Sequence, residues 1–191
     1  MFVVTKDGVI ATDPISLRRQ AAKQYIEEIR KITQAPIKYV IYSHSHYDHI
    51  AGGQPFKDAG ARFVAHKNTT ARLKQLKPAD VVIPDESTGD KKVIRLGGTT
   101  LELWYFGLNH SDSTLVMNLP KEKIIFVVDT IPVGQVPGRG MIDFHPLEAE
   151  QFIKKVLALD WERLIPGHPG VNDRLGSKKD AEDQLQLLQD A

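Results

Sequence analysis

Tyr42 to Gly53 reads YSHSHYDHIAGG, and the rest of the chain is best read outward from it. Three of the chain's seven histidines and one aspartate fall between His44 and His49. The run IKYVIYSH that leads into them is rich in apolar and β-branched residues, the pattern of a buried strand. The cluster therefore begins where a strand ends. On extended backbone alternate residues face the same side, so His44 and His46 form one imidazole pair able to hold one ion. Asp48 and His49 fall where the chain leaves the strand for a helix near Gly52 and Gly53. Neither a regular strand nor a helix points all four groups at one place, but a turn does. The pattern suits two adjacent metal ions, one on His44 and His46, the other on Asp48 and His49. Surface decoration by chance is the weaker reading.

Catalytic zinc usually takes three protein ligands and keeps one position open, so further ligands are needed. Three candidates stand at the ends of predicted strands: His110 in YFGLNHSDS, Asp129 closing KIIFVVD, and His168 in RLIPGHPG. A carboxylate after five apolar residues is costly unless it is paired or bound to metal. Strand ends along one rim of a sheet are where open α/β folds place their ligands. Alone, His168 reads as a turn residue and Asp129 as a turn cap. Beside the six-residue cluster they become ligand candidates. His66 in VAHKNT and His145 in DFHP lack that support and are read as structural or exposed, although His145 lies in a loop that could touch substrate.

The surrounding pattern is mixed α/β. FVVTKDG and VIATDP predict two strands around a turn. Asp13 and Pro14 then make a helix start of the N-cap type, followed by Ala22, Tyr25, Ile26, Ile29 and Ile32 at helical spacing. Further strands are predicted over ARFVAH, KKVIRL, TTLELWYF, STLVMNL, KIIFVVD and ERLIPGH. Helices are predicted near GGQPFKDAG, NTTARLKQL, Leu147–Leu159 and DAEDQLQLLQ. The hairpins in the middle argue for sheets covered by helices rather than a strictly alternating parallel fold. One domain over residues 1–191 is expected. The stretch from Thr130 to Pro146 is long enough to be functional. It carries Arg139, Met141 and Phe144, which are candidates for contact with substrate.

Bulk composition narrows the function further. Lys and Arg number 25 against 24 Asp and Glu, so charge balance makes no case for nucleic acid or an anionic membrane as partner. No apolar run is long enough to span a bilayer, and no signal-peptide pattern opens the chain; the expected compartment is the cytoplasm. Cysteine is absent, which excludes disulfides, thiolate ligands and a cysteine nucleophile.

At HSHYDH followed by Gly52–Gly53, the chain resembles the metallo-β-lactamase superfamily. The likeness extends to Asp13, His110, Asp129 and the PGH histidine, His168, and so covers essentially the whole chain. It implies a four-layer αβ/βα sandwich, here shortened at the N-terminus, with metals on one rim. It also implies two zinc ions per chain, with iron or manganese compatible with the same ligands. By resemblance His44, His46 and His110 hold the first ion, Asp48, His49 and His168 the second, and Asp129 bridges them, as in the glyoxalase II and lactonase branches. Asp13 would support the ligands from behind, and Asp48 and Asp129 would do the proton work. The implied activity is hydrolysis of a small-molecule carbonyl compound (β-lactam, lactone, ester or thioester) by metal-activated water. The alternatives are a phosphodiesterase or nuclease of the same fold, or a metal-binding protein without catalysis. A homo-oligomer would cover the edge strand that a late start leaves open.

Overall fold

The computed structural model describes residues 1–14, 21–136 and 143–191. The chain divides into two compact units, residues 1–89 with 95–99, and residues 90–94 with 100–191.

The first unit is built on a five-stranded sheet in the order β1-β2-β3-β4-β5. β1 (Phe2–Thr5) and β2 (Gly8–Thr12) form the expected hairpin, its turn closed by the Thr5 hydroxyl donating to the Gly8 carbonyl at 2.7 Å. β3 (Ile37–Ile41), β4 (Arg62–His66) and β5 (Glu86–Thr88) all run parallel to β2. The helix α1 (Ala21–Ile32) buries Ala22 and Ile29, with Tyr25 and Ile26 packed beside them. These are four of the five positions that its helical spacing singled out; the fifth, Ile32, is exposed at the end of the helix. Phe63 on β4 is fully buried and meets Tyr42 edge-on at 5.4 Å. Burying one such ring is worth about 1.5–3 kcal/mol. Short helices α2 (Tyr47–Ile50) and α3 (Gln54–Asp58) follow β3, and α4 (Lys67–Leu76) follows β4. His66 is buried and caps α4, its Nδ1 accepting from the Asn68 backbone N–H, so it is structural as expected.

The second unit holds a sheet in the order β10-β9-β8-β7-β6. Its strands are β6 (Lys91–Leu96), β7 (Thr99–Tyr105), β8 (Leu115–Leu119), β9 (Ile124–Val127) and β10 (Arg163–Pro166). Against it α5 (Pro146–Leu157) buries Phe152, Ile153 and Val156, which join Val116, Ile125, Val127 and Leu164 of the sheet in one core. Trp161 enters that core with its indole N–H satisfied by the Val156 carbonyl at 2.8 Å. α6 (Lys178–Asp190) packs on α5 and starts with a capping box of Ser177 and Asp180.

Strand direction positions the site. In the first sheet the carboxyl ends of β2 to β5 lie along one edge, because these strands are parallel. In the second, β8 is antiparallel to both β7 and β9, and β10 is parallel to β9. The carboxyl ends of β7, β9 and β10 therefore share an edge too. Asp13 and the histidine cluster follow β2 and β3; His110, Asp129 and His168 follow β7, β9 and β10.

Candidate metal centre

In the first unit the ladder between β2 and β3 ends at Thr12 and Ile41. Asp13 is the next residue. Its backbone N–H donates to the Ile41 carbonyl at 2.9 Å, and its φ of 39° turns the chain back sharply. The buried carboxylate is then divided between two partners: Oδ1 accepts from the Ser43 backbone N–H at 2.7 Å, and Oδ2 faces His49 Nδ1 at 3.2 Å. A carboxylate only accepts, so the hydrogen-bond network assigns the proton of neutral His49 to Nδ1 and the lone pair to Nε2. This is the carboxylate–histidine arrangement that orients imidazole ligands towards a metal. The start of a helix directly after Asp13 and Pro14 falls on residues 15–20, outside the described residues.

His49 Nε2 lies 3.3 Å from Asp48 Oδ2. A lone-pair nitrogen and a carboxylate oxygen at that separation repel unless positive charge, a proton or a metal cation, joins them. The donor set therefore fits a metal. Beside it His44 is fully buried, its ring 4.4 Å from that of His46 and 4.6 Å from that of His49. Ser43 Oγ stands 2.9 Å from His44 Nδ1, and Ser45 Oγ accepts from Arg72 Nη1 at 2.7 Å. The ligand atoms of His44 and His46 lie within 4.8 Å of each other, as do those of Asp48 and His49. His46 is the N-cap of α2, so the four groups are delivered by a strand exit, a bend and one helical turn. Gly52, at φ 72°, ends the turn, its N–H on the Asp80 carbonyl at 2.8 Å; the Asp80 carboxylate accepts from the Tyr47 hydroxyl.

In the second unit the last pair of the β9–β10 ladder is Val127 with Pro166. Asp129 and His168 each follow two residues beyond it. Gly167 allows the close approach, since a Cβ there would lie 2.5 Å from Val128 Cγ1. Asp129 offers one oxygen to each of two imidazoles: Oδ1 is 3.1 Å from His168 Nε2, and Oδ2 is 3.4 Å from His110 Nε2. His168 is the exposed member, with 62% of its side chain accessible against 9% for Asp129. His145 is half-buried at the N-terminus of α5.

The structure thus brings together Asp13, His44, His46, Asp48 and His49 in one unit, and His110, Asp129 and His168 in the other. Phe144 is half-buried just before α5, while Arg139 and Met141 lie outside the described residues. Arg72, Asn109 and Thr130 were not singled out from the sequence. Arg72 is 27 residues from Ser45, and no spacing rule joins them. Thr130 stands next to Asp129 and Asn109 next to His110, and that adjacency was the only available signal.

Residues 2–168 match the family model of the metallo-beta-lactamase superfamily. The chain is 28% identical over 165 residues to the 2,4-dinitroanisole O-demethylase subunit alpha of Nocardioides sp. (strain JS1661), covering 84% of this chain and 49% of that protein. It is 26% identical over 174 residues to a metallo-beta-lactamase type 2 of Bacillus sp. (strain 170), covering 89% of this chain. The chain thus spans about half the length of the first relative and 66% of the second. Among solved structures, the metallo-beta-lactamase from Pontibacter korlensis superposes with a TM-score of 0.86 at 20% identity, covering 100% of this chain and 86% of that one. Metallo-beta-lactamase IND-7 gives 0.83 at 24%, covering 99% and 84%. The mixed α/β fold of metallo-β-lactamase type, expected from the sequence, is therefore shown. The chain belongs to the metallo-β-lactamase superfamily.

Proposed function

We propose that this chain is a hydrolase that uses two zinc ions to open a carbonyl compound of small size, with β-lactams, lactones, esters and thioesters as the substrate class. The observation that carries the reading is Asp129, whose two oxygens each address a different imidazole; a carboxylate shared between two candidate ligands would serve both ions. His44, His46 and His110 would hold one ion, and Asp48, His49 and His168 the other. Bound zinc supplies Lewis acidity and brings the pKa of a bound water towards ~7.

The chain's own residues do the rest. Asp13 fixes His49 with Nδ1 protonated, so that Nε2 is always the donor atom. Ser43 Oγ holds the His44 ring by its Nδ1. Asp48 and Asp129 would orient the attacking water, and an Asp48 oxygen would hold its proton. No serine or lysine nucleophile is required. Phe144 would line the apolar side of the substrate.

The relative named for O-demethylation of 2,4-dinitroanisole favours a second reading, scission of an activated aryl ether by the same water. One experiment addresses both. Zinc content is measured by elemental analysis on the same preparation assayed with a β-lactam, a lactone, a thioester, a nitroaryl methyl ether and a phosphodiester. Turnover of a carbonyl substrate that follows zinc content supports the first reading. Preference for the ether installs the second. Preference for the phosphodiester, or about two zinc ions with no turnover at all, overturns both.

A further inference from the structure

Asn109 is fully buried, and every polar group it owns is engaged within its unit. Its side-chain Oδ1 accepts from the His110 backbone N–H at 2.5 Å and from the Thr130 hydroxyl at 2.8 Å. Its Nδ2 donates to the Gly107 carbonyl at 2.9 Å. Its backbone N–H donates to the Ser111 carbonyl at 3.2 Å, and its own carbonyl accepts from the His145 backbone N–H at 2.8 Å. The amide orientation follows from these partners: reversing it would set an NH2 against the His110 N–H and the amide oxygen against the Gly107 carbonyl. Thr130 is also fully buried.

Two of these partners are the ends of one segment. Thr130 opens the stretch that leaves Asp129, and His145 closes it at the start of α5. A single residue therefore gathers the exit from Asp129, the re-entry at α5 and the backbone of His110. We propose that Asn109 is a positioning residue, which sets His110 against Asp129 and ties both to the start of α5 at His145. The Thr130 hydroxyl carries the link to Asp129. This rests on the proposed metal centre, and it adds to that reading a buried residue that holds two of the candidate ligands in register. Groups that orient metal ligands typically change affinity or activity by about 10–100-fold when removed.

The test uses the full chain and zinc alone. Thr130→Val keeps shape and β-branching but removes the donor, and Thr130→Ser restores the hydroxyl without the methyl group. Zinc affinity is read by chelator competition, and the fold by the melting temperature of the metal-free protein. The expected result for Thr130→Val is roughly tenfold weaker zinc binding, with a metal-free melting temperature within a few degrees of wild type. Recovery is expected in Thr130→Ser. Asn109→Ser, which keeps a hydroxyl but cannot reach both donors, should weaken zinc at least as much. Equal zinc affinity in wild type and Thr130→Val, or failure of Thr130→Ser to recover, overturns the coupling while leaving the metal centre standing. Wild-type protein that binds no zinc fails at the metal centre itself, a different outcome of the same titration.

Discussion

Replacing Asp13 with asparagine separates the role of its charge from the role of its shape. The two carboxylate oxygens have distinct partners, Ser43 N–H at 2.7 Å and His49 Nδ1 at 3.2 Å. Asparagine can satisfy only one of them in the native way. If its Oδ1 stays on the Ser43 N–H, its NH2 meets His49 Nδ1 and forces the ring proton onto Nε2, the atom that is to bind metal. If the amide turns over, its NH2 is pressed against a backbone N–H that is itself a donor. The first arrangement costs His49 its preset tautomer, and the second keeps it only by setting two donors against each other in a buried place. The expected loss is about 10–100-fold in zinc affinity, which corresponds to about 1.4–2.8 kcal/mol. In the metal-free protein the first arrangement keeps both contacts as neutral hydrogen bonds, so stability should fall by only about 1 kcal/mol. Asp13→Ala differs: it leaves the Ser43 N–H buried without an acceptor, at about 1–3 kcal/mol, with a small cavity besides. Chelator competition gives the zinc term, urea melts of the metal-free protein give the stability term, and nitrogen NMR of His49 reads the tautomer directly. Wild-type zinc affinity in Asp13→Asn, with the His49 proton still on Nδ1, would refute the reasoning.

Metal stoichiometry comes next: elemental analysis should find about two zinc ions in the saturated protein and fewer in Asp129→Ala, while His145→Ala keeps the wild-type count; one ion or none at zinc excess removes the paired centre. With its best substrate, kcat/KM should rise with pH to a plateau with a midpoint near ~7, and a flat profile from mildly acidic to neutral pH would count against ionisation of water as the controlling step. Away from the site, the Arg174 guanidinium holds the Asp180 carboxyl down at about 2, against an ordinary 3.8. A lowered carboxylate pKa stabilises the fold above the unfolded value, and that contribution fades as pH falls from about 3.8 through about 2. Arg174→Gln should therefore melt below wild type at neutral pH, with the difference closing in that acid window; a constant difference would mean the arginine acts by packing alone.

How much of this was legible in the sequence follows from what each element needs. Strands β3, β4, β8 and β9 are buried, with apolar runs long enough to declare themselves, and α1 and α5 show their buried faces at helical spacing. β5 was not foreseen: three residues, Glu86, Ser87 and Thr88, with one of them buried, carry no periodicity. The one-turn helix α2 is as short, and its residues Tyr47, Asp48, His49 and Ile50 look like part of a turn. The HSHYDH cluster was readable because its four candidate ligands lie within six consecutive residues. Asp13 shows the limit. Locally it resembles a helix N-cap, yet its oxygens bind residues 30 and 36 positions away, a consequence of β2 lying beside β3 that no local pattern expresses. The work of Asn109 is hidden for the same reason, since its partners Thr130 and His145 lie far from it along the chain.

Backbone strain draws the two supporting aspartates into one argument. Asp13 and Asp129 have φ of 39° and 60°, in the left-handed region that most residues avoid. Lys77, Lys123, Asn172 and Asp173 share that sign, but they sit at exposed or half-exposed ends of elements, where a reversal is ordinary turn chemistry. Asp13 is buried, and Asp129 is 9% exposed on its side chain. At Asp129 the reversal is tight: Thr130 N–H donates to the Val128 carbonyl at 2.7 Å, closing a three-residue turn with positive φ at its centre, the rarer kind of γ-turn. Such a conformation costs on the order of 1–3 kcal/mol. What it achieves is direction. By reversing immediately after a strand, each aspartate throws its carboxylate sideways along the sheet edge, where each oxygen meets a different neighbour. A residue continuing the strand would send its side chain to one face of the sheet or the other. Aspartate is among the few non-glycine residues that tolerate this backbone while carrying two acceptor atoms. The strain and the chemistry therefore select the same residue, and both reversals fall at the proposed metal centre.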